Sequence, residues 1–154
     1  METTTAKAIT VETTVNAPVE KVWKLWNGPE HIIQWNNASD DWHNPKSEND
    51  VRVGGKFKHT MAAKDGSVSF DFEGTYTTVR EHERLEYTIA DGRKVQVTFT
   101  AEGNSTKVVE TFEMENENSE ELQRGGWQAI LGSFKKYAEA WSGVMGLESW
   151  AINS

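Results

Sequence analysis

The sequence predicts an α+β domain in which a strongly curved antiparallel sheet grips one long helix. Alternating apolar residues separated by short turns run from residue 51 to 112 and indicate a meander of about five or six strands. One strand and two short helices precede this meander, and a long amphipathic helix follows it. Because a sheet must bury one face, the long helix is its natural cover.

Length, charge and composition exclude several classes of protein. A chain of 154 residues fits one domain, and without cysteine it forms no disulfide. The net charge of −8 argues against nucleic-acid binding, because an acidic surface repels phosphates. No secretory signal and no run of about 20 apolar residues is visible, so we expect a cytoplasmic protein without a membrane span.

The first elements follow from short apolar patterns. Residues 8–15 alternate and predict a half-buried strand. The stretch 16–26 predicts a short amphipathic helix, with Asn16 or Ala17 as its cap and Pro18 in its first turn. A second short helix is predicted for residues 29–35, with Pro29 at its start.

The stretch 36–50 is polar and rich in turn-forming residues, so we predict the longest loop of the chain there. After it, the pair Gly54-Gly55 interrupts a strand pattern. Glycine tolerates a positive φ and close approach of the backbone. We therefore predict a turn or bulge that joins a short strand at 51–53 to a longer strand starting at Lys56.

The long helix is predicted from a capping box of Asn118 and Glu121 and from an apolar stripe. Gly125, Gly126 and Gly132 lower its intrinsic stability, and we expect them to allow a kink or a close approach to a strand. The stripe consists of Leu122, Trp127, Ile130, Phe134, Tyr137 with Ala138, and Trp141. The domain then spans residues 8–142, between a flexible N-terminus at 1–7 and a loosely ordered tail at 143–154.

Several segments resemble the activator-of-heat-shock-protein-90-ATPase-like family. They are NAPVEKVWKLW, PEHIIQWN, DVRVGGKFKHTM, DGSVSFDFEGTYTTVREHERLEYT and GWQAILGSFKKYAE, and the similarity runs from about residue 9 to residue 141. This resemblance implies the helix-grip fold of the START and birch-pollen-allergen superfamily, with about six or seven strands. It also implies a function among those of its relatives, which include a cochaperone domain, lipid and plant-hormone carriers, and aromatase/cyclase enzymes.

Titratable residues give no catalytic or metal-binding pattern. The four histidines lack metal-ligand spacing, and His31 and His82 are expected at the surface. His59 shares an inward face with Phe57 and Met61, where it either contacts a ligand or is a satisfied polar residue near the sheet edge. Glu110 is in phase with apolar neighbours, yet a strand-end glutamate facing water is the favoured interpretation.

The aromatic residues carry the leading hypothesis, which is a non-enzymatic domain that binds a small hydrophobic or aromatic molecule between sheet and helix. We predict no metal and no cofactor, and a monomer or weak dimer. The alternatives are a stress-related cochaperone with a chaperone partner and a cyclase-like enzyme. Whether the interior is a cavity or a solid core is left open by the sequence. The expected ligand-contacting residues are Trp26, Trp35, Phe57, His59, Met61, Phe70, Phe72, Tyr76, Phe99, Trp127, Ile130, Phe134 and Tyr137.

Overall fold

The computed structural model describes residues 7–141. The predicted tail at 143–154 and most of the predicted flexible N-terminus at 1–7 lie outside the described residues. The elements are β1 (Ala8–Val15), α1 (Val19–Asn27), α2 (Pro29–Trp35), β2 (Trp42–Asn49), β3 (Lys56–Ala63), β4 (Ser69–Arg80), β5 (Arg84–Ile89), β6 (Lys94–Glu102), β7 (Ser105–Glu113) and α3 (Glu120–Ala140).

Seven strands form one antiparallel sheet in the order β1-β7-β6-β5-β4-β3-β2. The sheet curls into a half-barrel, α3 covers its concave face, and the two short helices follow β1. This confirms the predicted α+β helix-grip fold. No helix within residues 7–141 has both the length and the apolar character needed to cross a membrane.

Alternation along the strands decides which side chains enter the core. In β7 every second residue from Thr106 to Phe112 is buried. Val108 and Phe112 belong to the same apolar core as Phe134 and Leu131 of α3, both fully buried. Burying an apolar side chain of this size contributes about 1.5–3 kcal/mol, so this core between sheet and helix stabilises the fold.

The prediction of one loop over residues 36–50 is wrong, because β2 occupies Trp42–Asn49 and pairs with β3. β2 is the last strand in the sheet order, so its polar residues suit a solvent-exposed edge. Asn44 lies buried at an irregularity of the β2–β3 pairing and donates to the carbonyls of Lys46 and Thr60. The polar composition of β2 therefore did not indicate a strand, although its residue Asn44 is buried and hydrogen-bonded.

The glycine pair Gly54-Gly55 is a turn, although the short strand predicted at 51–53 is wrong. Gly54 has a φ of +84°, a conformation that costs glycine little. A Cβ on Gly55 would lie 2.1 Å from the carbonyl oxygen of Asp50. The positive φ and the close backbone approach are therefore confirmed, and β3 starts at Lys56 as predicted.

Both predicted helix caps need correction. Pro18 occupies the N-cap of α1 without a side-chain hydrogen bond, while Asn16 accepts one from Ser105. At the start of α3, the Ser119 hydroxyl accepts from the backbone N–H of Leu122, so the cap lies one residue beyond Asn118. The Asn118 side chain instead hydrogen-bonds to Glu115.

The stripe of α3 differs from the predicted one at its start. Leu122 is 63% exposed, and Gln123 and Leu131 are buried instead. The helix α3 is continuous over Glu120–Ala140. The expected close approach to a strand at its glycines is wrong, because a Cβ added at Gly125, Gly126 or Gly132 would meet no atom of another element within 4 Å.

The close approach occurs at Gly74 in the sheet, which leads to a first prediction. Gly74 pairs with Phe57 across β3 and β4, and an added Cβ would lie 2.5 Å from the Phe57 ring. We expect Gly74→Ala to destabilise the protein by about 1–3 kcal/mol, because the buried ring must move. Urea unfolding measures this change.

Gly132→Ala is the matched control. Its Cβ meets open space on an exposed helix face, so this variant should gain up to about 1 kcal/mol of helix propensity. Equal stabilities of Gly74→Ala and the parent protein would contradict the described packing of Phe57.

Candidate functional site

A cavity of about 290 Å³ lies between α3 and the strands on the far side of the sheet. The backbone of α3 packs closely on β1 but approaches none of β3, β4 and β5 as closely, so space remains between them. The lining is Trp26, Asn27, Ile32, Trp35, Asn36, Asn49, Phe57, His59, Met61, Phe70, Phe72, Tyr76, Leu85, Tyr87, Arg93, Glu110, Glu115, Gln123, Trp127 and Ile130.

Phe57 is the centre of the aromatic wall that the strands provide. Its ring packs edge-on against Tyr87 at 4.8 Å between centroids and tilted against Tyr76 at 5.5 Å. On its other sides it stacks on His59 at 5.1 Å and meets Phe72 at 5.8 Å. Such offset and edge-to-face contacts hold the rings in fixed positions, which gives the cavity a preformed wall.

The helix side of the cavity is held by Trp127. Its indole ring stacks on Phe112 with centroids 4.0 Å apart and planes 9° from parallel. One turn earlier, the Gln123 side chain donates to the carbonyls of Glu115 and Asn118. These contacts tie the start of α3 to the chain that leaves β7, so the two sides of the cavity keep their separation.

His59 presents a hydrogen-bond acceptor to the cavity. Ser47 donates its hydroxyl proton to Asn44 Oδ1, so the Nδ1–H of His59 must donate to the Ser47 oxygen 3.0 Å away. Burial lowers the pKa of His59 to about 4, so the ring is neutral at pH 7. Nε2 is then an acceptor. The geometry fits both interpretations of His59, because its Nδ1–H is satisfied by Ser47 while the residue also lines the cavity.

A short chain of polar groups continues along the wall. Tyr76 donates its hydroxyl proton to Asn49 at 2.6 Å, and Asn49 donates to the carbonyl of Asn27 at 2.9 Å. The Asn27 side chain donates to the carbonyl of Trp23, while its buried Oδ1 has no partner among the described residues. A buried acceptor without a donor costs folding free energy, and this oxygen is enclosed by protein atoms rather than exposed to the cavity.

Glu110 is buried, and the prediction that it faces water is wrong. It is 5% exposed and lies between Val11 of β1 and Val97 of β6 in the sheet register. Burial raises the pKa of its carboxyl to about 8, because none of these neighbours replaces the lost water. Burial also raises the pKa of the neighbouring Tyr87, and the charge of Glu110 adds to this effect.

All predicted ligand-contacting residues line the cavity except Phe99, Phe134 and Tyr137. Phe99 and Phe134 lie deeper and pack edge-on against Trp26 at 5.7 and 4.8 Å. Tyr137 forms a 2.8 Å hydrogen bond with His31. The surface position predicted for His31 is wrong, because it is 8% exposed beneath this contact.

Sequence reasoning missed most of the polar lining. Tyr87 shares a strand face with Leu85 and Ile89, so alternation alone could have identified it. Asn27, Asn49, Arg93 and Gln123 carried no such signal, because their sites depend on how helix ends and turns meet in space. No group of three potential metal-ligating side chains was found among residues 7–141.

Known proteins resemble the chain over nearly all of the described part. The family model described as "Activator of Hsp90 ATPase homolog 1-like protein" matches residues 16–139. An AHSA1-like protein from Aeromonas hydrophila, known from its solution structure, is 44% identical with a TM-score of 0.83, over 96% of this chain and 100% of that one.

Two other solved structures are also similar. A Cytophaga hutchinsonii protein is 52% identical with a TM-score of 0.75, over 95% of this chain and 98% of that one. A Nitrosomonas europaea protein shares the fold at 18% identity, with a TM-score of 0.75 over 86% and 94%. No curated protein matches the chain.

The buried carboxyl leads to a second prediction. The unfolded chain loses the Glu110 proton near the ordinary pKa of 4.5, whereas the folded protein keeps it up to about pH 8. Between these values the folded state binds one more proton, so the free energy of unfolding falls as the pH rises, by about 1.4 kcal/mol per pH unit from this group.

Glu110→Gln removes this contribution. Relative to the variant, the parent protein should lose stability from pH 5 to pH 8 in urea unfolding and show no further relative loss above that range. Glu73→Gln is the control, because Glu73 is exposed on β4. Parallel pH profiles for the parent protein and Glu110→Gln would show that Glu110 titrates normally.

Proposed function

The chain belongs to the Activator of Hsp90 ATPase homolog 1-like family, and we propose that it is a non-enzymatic domain that binds a small hydrophobic or aromatic molecule between the sheet and α3. The observation that carries the proposal is the aromatic-walled cavity. Concave, mostly apolar pockets with a few placed polar groups are the usual form of small-molecule sites.

The size of the cavity narrows the class of ligand. Its volume of about 290 Å³ lies at the lower end of the ~300–1,000 Å³ typical of ligand pockets. The walls are planar rings from both layers, such as Phe57 and Trp127. A compact polyketide- or flavonoid-like ring system fits such walls better than a long acyl chain, because flat faces and edges of aromatic groups pack against each other.

The arrangement of titratable groups supports binding rather than catalysis. His59 uses Nδ1 to contact Ser47, and the Glu110 carboxyl is not hydrogen-bonded to a second titratable group among the described residues. Nucleophilic mechanisms depend on such an activating pair. Association with a heat-shock chaperone and a cytoplasmic location stay predictions, because the family resemblance and the composition are their only support.

Filling the cavity gives a third prediction. Ile130 lines the cavity from α3, so Ile130→Phe should place its ring in the space that the ligand needs. We expect the affinity for the neutral fluorescent probe N-phenyl-1-naphthylamine to fall by about tenfold or more, which is a loss of 1.4 kcal/mol in binding free energy. Fluorescence titration measures this change.

Leu122→Phe is the matched control, since Leu122 lies on the same helix but is 63% exposed and outside the cavity. It should leave binding unchanged. A solid core would instead make Ile130→Phe overpacked, at a cost of about 1–3 kcal/mol of stability. That cost, together with the absence of saturable probe binding to the parent protein, would contradict the proposal.

A further inference from the structure

The Glu110 carboxyl lies on the cavity wall without a partner. Its neighbours across the sheet are Val11 and Val97, and along β7 they are Val108 and Phe112. No hydrogen bond or ion pair reaches its oxygens from the described residues, and desolvation alone shifts its pKa. A buried acid in such surroundings is costly unless a donor or a cation meets it.

The other polar groups of the cavity do not supply that cation. Arg93 is the basic residue of the lining, and its guanidinium already donates to Asp91 and to the carbonyl of Glu113. Glu115 accepts from the backbone N–H groups of Glu117 and Asn118. The charge of Glu110 is therefore the one that the described lining leaves uncompensated.

A further atom of the lining is an acceptor that lacks a donor. Nε2 of His59 accepts once Nδ1 donates to Ser47, and the structure gives it no donor within residues 7–141. A ligand that complements this lining therefore carries hydrogen-bond donors.

The aromatic walls favour a cationic donor over a neutral one. The faces of Trp, Tyr and Phe rings attract an ammonium group within about 6 Å of the ring centroid, and more strongly when water is excluded. Phe57, Tyr87 and Trp127 line the same cavity as Glu110. A carboxylate among several aromatic rings is a combination that recognises an organic cation.

We propose that the cavity binds an amine with a compact apolar ring body, whose ammonium group pairs with Glu110. This inference rests on the proposed ligand-binding function and adds the chemical class of the ligand. A carboxylate ligand is disfavoured where Glu110 is ionised, because two like charges would then meet on the cavity wall.

The titration of Glu110 makes amine binding depend on pH. The other titratable or charged groups that line the cavity are His59 of β3, Tyr76 of β4, Tyr87 of β5, Arg93 and Glu115, and none comes from α1, α2, β6 or α3. The pKa of His59 is lowered to about 4, burial raises the pKa of both tyrosines, and hydrogen bonds from Asn118 lower the pKa of Glu115.

Glu110 is therefore the lining group that titrates between pH 6 and pH 9, with a pKa raised to about 8. An amine binds the ionised form. Its affinity should rise by about tenfold per pH unit from pH 6 towards pH 8 and then level off, because the ionised fraction of Glu110 changes in this way.

Calorimetric titration with three matched probes tests the inference on the full chain. Naphthylethylamine, naphthylethanol and naphthylacetate share a ring body and differ in the charge of the head group. At pH 8 the amine should bind at least tenfold more tightly than the alcohol, and the acid most weakly. The alcohol should show no rise in affinity with pH.

Glu110→Gln keeps the shape of the side chain and removes its charge. This variant should bind the amine at least tenfold more weakly at pH 8 and lose the pH dependence, while binding of the alcohol persists and shows that the cavity is intact. Glu73→Gln removes an exposed charge from β4 and should behave like the parent protein.

The outcomes separate the two proposals. An alcohol or acid that binds as tightly as the amine, or a pH dependence that survives in Glu110→Gln, would overturn the amine inference and leave the ligand-binding function standing. If none of the three probes nor N-phenyl-1-naphthylamine binds the parent protein, the proposed function itself fails.

Discussion

The stack of Trp127 on Phe112, with ring centroids 4.0 Å apart, fixes where α3 lies on the sheet. A second contact holds the other end, where Phe134 packs edge-on against Trp26 and Trp35. The backbone of α3 lies close to β1 and to the two short helices. Because the sheet curls, its opposite half stays apart from the helix, and the cavity is the space that results. The position of one helix therefore decides both the core and the site.

The cavity and its polar lining reduce stability in ways that a purely structural core would avoid. Space next to apolar side chains forfeits packing contacts. Glu110, with its pKa raised to about 8 by burial, weakens the folded state at neutral and alkaline pH. Proteins violate such local rules mainly at functional sites. This agreement between an energetic cost and a location supports the proposed role of the buried carboxyl in ligand binding. Through Glu110, pH would then act on both stability and affinity.

Periodicity predicted most of the fold, because alternation and helical spacing report which face of an element is buried. It placed Phe57, His59 and Met61 on the concave face, all of which line the cavity. It failed for β2, whose edge position permits a polar sequence, and for Leu122, which continues an apolar stripe but faces solvent.

Glu110 was in phase with buried neighbours, yet the usual cost of burying an acid argued against that position. Some predicted residues line the cavity, and others, such as Phe134, lie deeper. Which of the two applies depends on where α3 lies on the sheet, and no local sequence pattern contains that information.

The central claim is that a ligand lies between α3 and the β3–β5 half of the sheet. Intermolecular NOEs between N-phenyl-1-naphthylamine and the isotope-labelled protein test it most directly. The account predicts NOEs from the probe to the rings of Phe57, Phe72 and Trp127, and none to Phe134, which lies outside the cavity behind Trp26 and Trp35. NOEs confined to exposed residues such as Val53 and Leu122, or none for a probe that binds saturably, would contradict it.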